Sequence, residues 1–183
     1  MSCQLNTERL LLRPPETSDV PSIVAGMGEW DVAKNLGRAP FPYREDHAHD
    51  FLGRQVEARA KGTDFAFGIV RKNDGAYMGG CGVHLRDGGA FEIGYWLGKP
   101  HWGQGYATEA ARKVSAFAFH VLKAERLMAG WFHDNPASGH VLEKVGFVFN
   151  GSEQRDCAAR GHTVFCNMML LERENFGRRK QAA

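Results

Sequence analysis

The stretch "EIGYWLGKPHWGQGYATEAARKVSAFAF", Glu92 to Phe119, decides the fold. An apolar run ends in Gly98-Lys99-Pro100, a glycine-studded turn follows, and a helical pattern begins near Tyr106. A strand that feeds directly into a helix leaves the first helical N–H groups unpaired, and the helix dipole adds partial positive charge there. Gly103, Gly105 and Ala107 keep side chains away from the turn, so a pyrophosphate can approach the amides of Gly103, Gln104, Gly105, Tyr106, Ala107 and Thr108. A tight turn that uses glycine only for its dihedrals is the competing account, and the surrounding elements must separate the two.

Downstream, Ala107, Ala110, Ala111, Val114, Ala118 and Val121 recur at three- and four-residue spacing, which predicts a long helix able to pack closely on a sheet. Upstream, "DFAFGIVRK", "YMGGCGVHLRDGG" and "AFEIGYWLG" are joined by short Asn/Asp/Gly turns and predict an antiparallel meander. "TERLLLRP" predicts an earlier strand with Leu10 and Leu12 on one side, ended by Pro14 and Pro15. Between them, the segment from Ser18 predicts a helix broken near Gly26 and Gly28, then a second one. "YREDHAHDFLGRQVEARAKG" predicts a longer helix ending at Gly62. "ERLMAGWFHD" supplies a further strand. "NPASGHVLEKVGF" predicts a short helix with Asn135 as N-cap, Pro136 in its first turn and Gly146 just past its end. "FVFNGSEQRDCAA" and "RGHTVFCNMMLLERE" form a closing hairpin. The class is α+β, in one domain spanning residues 1–183, with 176–183 expected as a frayed tail.

At 183 residues, 43% of them hydrophobic, the chain can bury one sizeable core. Its 23 basic and 21 acidic side chains are scattered, so no field draws in nucleic acid or an anionic membrane. No stretch approaches the ~18 to 20 uninterrupted apolar residues of a membrane span, and the start lacks a signal-peptide core, so a cytoplasmic protein is expected. Cys3, Cys81, Cys157 and Cys166 are widely spaced and read as reduced thiols. No Cys-x-x-Cys, His-Glu-x-x-His or Gly-x-Ser-x-Gly occurs, and His47 and His49 diverge on a helix, so metal-free chemistry is expected. A dinucleotide fingerprint fails because Thr108 stands at the third small position, Met128 where the ribose acid belongs, and a meander where a βαβ unit belongs. A Walker loop fails for want of Gly-Lys-Ser/Thr.

"EIGYWLGKPHWGQGYATEA" followed by "NPASGHVLEKVGF" resembles the acetyl-CoA site of the GCN5-related N-acetyltransferases, in particular the branch acting on ribosomal-protein N-termini (RimJ/RimL-like). The order of elements extends the likeness over nearly the whole chain. The family's Arg/Gln-x-x-Gly-x-Gly/Ala turn corresponds to Trp102-Gly103-Gln104-Gly105-Tyr106-Ala107, with Trp102 departing at the first position. The resemblance implies a mostly antiparallel mixed sheet of about seven strands, flanked by helices, in which two adjacent parallel strands splay. Those strands are "EIGYWLG" and "RLMAGWFH". Backbone groups at Tyr95, Trp96 and Leu97 are then expected to meet the pantetheine arm and the acetyl carbonyl, with Asn135 and Ser138 beside the arm and the sulfur.

Acetyl transfer to an amine needs a neutral nucleophile, a stabilised carbonyl and a proton for the leaving thiolate. Glu92, three residues before Tyr95, is the candidate base; a charged strand end or salt bridge is its other reading. His84 is the substitute if both side chains enter the cleft, and otherwise a packed strand residue. Ser138 is the candidate donor to sulfur, since no Tyr occurs in "ASGHVLEKVGF". Trp30, Phe41 and Tyr43, with His84, are candidates for the acceptor pocket. The acceptor is a small-molecule amine or a protein N-terminus; a non-catalytic acyl-CoA sensor is the alternative function, and the chain is a monomer or homodimer.

Overall fold

A computed structural model describes residues 4–177. The part of the expected tail from 178 to 183, together with Cys3, lies outside the described residues. Eight strands form one sheet: β1 (Leu5–Asn6), β2 (Leu10–Arg13), β3 (Asp64–Arg71), β4 (Tyr77–Leu85), β5 (Phe91–Leu97), β6 (Arg126–Phe132), β7 (Val148–Cys157) and β8 (His162–Glu172). Their spatial order is β1-β2-β3-β4-β5-β6-β8-β7. Every neighbouring pair is antiparallel except β5 with β6. The strand beyond the expected seven is the two-residue β1.

The helices are α1 (Val20–Met27), α2 (Trp30–Ala33), α3 (Glu45–Ala60), α4 (Tyr106–His120) and α5 (Pro136–Val145). Helix α4 lays Ala110, Ala111, Val114, Phe117 and Ala118, all buried, on one sheet face against Leu10, Leu12, Ile93 and Leu127. Its alanines let the helix approach closely, and the aromatic rings of Phe65 and Phe67 meet Phe117 edge-on at 5.4 Å. Val121, expected on that buried stripe, is instead exposed at the helix end. Phe176, assigned to the tail by sequence, packs its ring 5.2 Å from Phe119.

Helices α1 and α3 cover part of the other face through Val20, Ile23, Met27 and Ala48, against Trp96 and Tyr77. Arg13 anchors this side: its guanidinium donates to both oxygens of buried Asp19 at 2.7 and 2.8 Å, just before α1.

The wedge comes from strand pairing. β5 is paired with β4 from Phe91 to Leu97, and β6 with β8 from Arg126 to Phe132. Between them β5 and β6 share only the pairs Phe91↔Leu127 and Glu92↔Met128, after which they diverge. Leu127, with no exposed surface, is the apolar pin at the vertex. Leu127→Ala should cost about 2–5 kcal/mol in urea unfolding, through lost transfer energy and a residual cavity; a loss below ~1 kcal/mol would show that the vertex is not a packed core position.

Candidate functional site

The turn between β5 and α4 forms a cradle of main-chain amides. Gly103 and Gly105 have φ of +73° and +80°, a region where a Cβ is strained, and Gly105 occupies the N-cap of α4. None of the six amides from Gly103 to Thr108 donates to another backbone carbonyl, whereas the next, Glu109 N–H, closes on Gly105 O at 3.1 Å. Arg9 braces the cradle from β1–β2. Its Nη1 donates to Gln104 O at 3.0 Å, its Nε to Glu109 Oε2 at 2.7 Å, and its guanidinium lies 4.4 Å from the Tyr106 ring centroid. Arg9 thus cancels the one carboxylate in the first turn of α4, which leaves the cradle attractive to anions. A groove of about 650 Å³ continues beside it, lined in part by Thr108, Arg112, Lys113 and Lys144.

Trp102 ties the cradle to the wedge, because its indole N–H donates to Leu97 O at 2.7 Å. Gln104 turns its side chain away, donating to Pro100 O at 3.1 Å, and only its amide faces the cradle.

Backbone direction along β5 follows from its two ends. Arg86 N–H donates to Ala90 O and Gly98 N–H to Met78 O, so even-numbered β5 residues bond β4 and odd-numbered ones face β6. Tyr95 and Leu97 therefore present backbone groups to the gap, as the resemblance implied. Trp96 does not: it sits opposite Gly80 in β4 and packs its ring 6.4 Å from Tyr77. The carbonyl of Leu97 is already occupied by Trp102, which leaves Tyr95 as the central gap-facing residue. A buried indole N–H on β6, that of Trp131, lacks an acceptor among the described residues.

Helix α5 meets the wedge through Ser138. Tyr95 Oη donates to Ser138 O at 2.8 Å and lies 2.9 Å from Ser138 Oγ, a phenol–hydroxyl pair that sequence reasoning missed because 43 residues separate its members. Burial raises the Tyr95 phenol above its ordinary value, so it stays protonated. Asn135 stands at the N-cap of α5, yet its side chain makes no capping bond, contrary to the expected cap.

On the opposite face, Glu92 is buried and held by a residue the sequence reading did not name. Arg155 of β7 donates to its two oxygens at 2.7 and 3.0 Å, and Arg86 Nε lies 3.6 Å away. The guanidinium crosses β6 where Gly130 has no side chain: a Cβ there would lie 2.7 Å from Cys166 Sγ and 3.2 Å from Arg155 Nη1. Burial opposes ionisation of Glu92, but the Arg155 hydrogen bonds and charge outweigh it and hold the carboxyl below its ordinary value. The salt-bridge reading of Glu92 is thus the one the geometry favours. His84 faces Glu92 directly in register, and next to them the floor is open: Gly94 is exposed, and a Cβ built on it would meet nothing within 4 Å.

Among the acceptor-side aromatics, Trp30 and Phe41 form an exposed edge-to-face pair at 5.1 Å. Tyr43 is instead buried among Val20, Ile23 and Ala48, so it belongs to the helical core rather than to a pocket wall. Cys81 is fully enclosed and burial pushes its thiol up, which removes it as a nucleophile. Among the described residues no group of three or more His, Cys, Asp or Glu is placed to hold a metal ion, and no helix is long and apolar enough to cross a membrane.

Arg155→Met should destabilise by about 3 kcal/mol in urea unfolding, because it strands a buried carboxylate, and Arg155→Met with Glu92→Met should recover most of that loss. Glu92's folded pKa lies below its ordinary 4.5. The pair's contribution is therefore complete above that pH and disappears as the pH falls through the folded value. The gap in unfolding midpoint between wild type and Glu92→Gln should narrow only below about pH 4.5; a gap that is flat with pH would refute the pairing.

Comparison with known proteins agrees with this geometry. Residues 9–148 match the model of the acetyltransferase (GNAT) domain. The uncharacterized N-acetyltransferase p20 of Bacillus licheniformis is 31% identical over 176 residues, covering 94% of this chain and 98% of that protein. The probable N-acetyltransferase YjcK of Bacillus subtilis (strain 168) is 37% identical over 163 residues, covering 86% and 90%. Among solved structures, Mycobacterium smegmatis RimJ in complex with CoA-disulfide superposes with a TM-score of 0.84 at 18% identity, covering 97% of this chain and 90% of that one. The chain belongs to the GNAT family of acetyltransferases.

Proposed function

We propose that this protein transfers the acetyl group of acetyl-CoA to a primary amine by direct attack within a ternary complex. One observation carries the reading: a cradle of six free amides leads, through Trp102, into a gap where β5 keeps backbone groups unpaired. These residues fit a diphosphate joined to an amide-bearing arm. The cradle would take the diphosphate, Arg112 and Lys113 further phosphate charge, and Tyr95 N–H with the Trp131 indole the polar atoms of the arm. The Asn135 side chain, unused by its own helix, stands at the start of α5 for the same purpose. Bound acetyl-CoA supplies the activated thioester carbonyl.

The chain's own groups then divide the work. Tyr95 Oη and Ser138 Oγ form a protonated pair beside the gap, suited to give a proton to the departing thiolate, whose conjugate thiol has an ordinary pKa near ~8.5. Glu92, fixed and neutralised by Arg155, forms a rigid ion pair next to the open floor at Gly94. Trp30 and Phe41 supply an exposed aromatic pair as a further candidate contact for the acceptor.

The finer reading of the acceptor is an α-amino group of a protein N-terminus or a small amine of similar basicity. An α-amine with a pKa near ~7.7–8.0 is far easier to deprotonate than a lysine near ~10.4, and the titratable groups at Gly94 are weak bases. The RimJ likeness points the same way. A binding module without transfer is the second reading, favoured by the fact that Arg155 occupies the expected base.

Free thiol should appear from acetyl-CoA only when an acceptor is present, in a panel of Ala-, Ser- and Met-initiated peptides and small amines. Tight acetyl-CoA binding in calorimetry with no transfer across the panel would instead support the binding module. Tyr95→Phe should lower kcat about 10²-fold while leaving acetyl-CoA affinity within a few-fold, and an unchanged kcat would remove the phenol from the proton path. Gly94→Val should fold as well as wild type, since its Cβ meets nothing, yet raise the acceptor's KM at least ~10-fold, about 1.4 kcal/mol. An unchanged KM would place the acceptor elsewhere.

A further inference from the structure

Asp64 of β3, His84 of β4, Glu92 of β5 and Met128 of β6 lie opposite one another in a single row across the sheet. Residues paired in register share a face, with side chains about 5 Å apart, and the Glu92–Met128 pair is the last before the wedge opens. Within this row the two candidate bases are in different states. Glu92 has both oxygens engaged by Arg155 and a second guanidinium at 3.6 Å. His84 is half-buried, and its ring nitrogens hydrogen-bond to nothing among the described residues. Gly82 and Gly94 are paired with each other one step along, about 7 Å from His84 along the strand, and at Gly94 a Cβ would meet nothing within 4 Å, so the floor beside the row is open there.

Building on the acetyl-transfer reading, we propose that His84, rather than Glu92, is the general base that takes the proton from the acceptor amine, directly or through one water. The amine nitrogen forms its bond to the acetyl carbon, the carbon–sulfur bond breaks, the amine proton passes to a ring nitrogen of His84, and the thiolate takes a proton from the Tyr95–Ser138 pair. Glu92 acts through His84 as a positioning residue: its fixed carboxylate is the partner toward which a newly formed imidazolium turns.

Charge supports this division. Burial lowers the His84 pKa from its ordinary 6.5, and Arg38 and Arg86 lower it further, while Glu92 and Asp64 raise it in part. The ring is therefore neutral at pH 7 and ready to accept. Arg38 is stationed by the neighbouring Gly37, whose carbonyl accepts from Ala158 N–H at 2.9 Å, so the loop after α2 brings its charge to the row. Glu92 starts from an ordinary 4.5 and is pushed down, so His84 is the group whose ordinary pKa lies nearer the operating pH, where general-base catalysis is most effective.

The experiment measures kcat/KM against pH for wild type, His84→Gln and Glu92→Gln with the peptide and amine panel, after checking that all three are fully folded at the assay temperature and bind acetyl-CoA alike. Below about pH 6, log kcat/KM of wild type should fall with a slope of two, one proton belonging to the acceptor and one to His84. His84→Gln should be down about 10²- to 10⁴-fold at pH 7 and fall with a slope of one, whereas Glu92→Gln should keep the slope of two. A slope of two in His84→Gln, or its loss only in Glu92→Gln, overturns the assignment; His84→Asn repeats the test if the Gln variant melts early. In proton NMR the resonance missing from His84→Gln should titrate below 6.5 and move up in Arg38→Ala, and titration at or above 6.5 also overturns it. If acetyl-CoA binds but no amine is acetylated, the acceptor reading has failed separately. Thiol release to water is then compared, and equal rates in wild type and His84→Gln overturn the role of His84.

Discussion

The structure depends on a conflict of pairing. β5 is committed to β4 along its whole length and β6 to β8 along its own, so the two central strands can stay together for only two residue pairs. Sheet twist then carries them apart. Backbone groups without strand partners are a cost to a sheet, and the fold bears that cost at Tyr95. What offsets it is the alanine-lined packing of α4 across both halves of the sheet, which holds the vertex closed at Leu127 while the far end stays open. A ligand with its own amides can replace the missing strand, and the unpartnered indole N–H of Trp131 on β6 is available to such a ligand.

In the proposed transfer the two faces of the sheet handle different protons. On the α5 side, the half-buried Tyr95–Ser138 pair stays protonated, which suits the part of a source. On the other side, the row of Asp64, His84 and Glu92 opens onto Gly94 and is basic in character, so it is a sink. Adjacent residues of one strand point to opposite faces, which is why a single strand, β5, carries Glu92 toward the sink and Tyr95 toward the source. Such a separation keeps the donor from being neutralised by the acceptor group that must work in the same cycle.

Much of this was legible from local sequence. The meander, α4, α5 and the Gly103–Gly105 turn announce themselves through period and turn chemistry, and those signals need no tertiary partner. Features set by distant residues were not legible. Arg155 reaches Glu92 across 63 positions, with the missing side chain of Gly130 as its only sequence trace. Tyr43 and Trp30 look alike as aromatic residues in a polar region, and only the packing of α1 on α3 buries one and leaves the other exposed. The backbone of Trp96 was assigned to the gap because hydrogen-bonding direction alternates along a strand and cannot be phased until a neighbour is in place. Asn135 met every composition rule for a capping side chain and does not cap.

Trp102 shows how a departure from a motif can preserve its purpose. The position carries Arg or Gln in the turn that the chain resembles. Here an indole N–H reaches back to Leu97 O, the last carbonyl of β5, and so couples the cradle to the wedge. The link costs the gap one acceptor but fixes the distance between the site for the diphosphate and Tyr95. A ligand whose two ends must meet both sites gains from such preorganisation, because less chain entropy is lost on binding. If backbone amides hold the charge, as proposed, the side chain at this position is free to serve geometry.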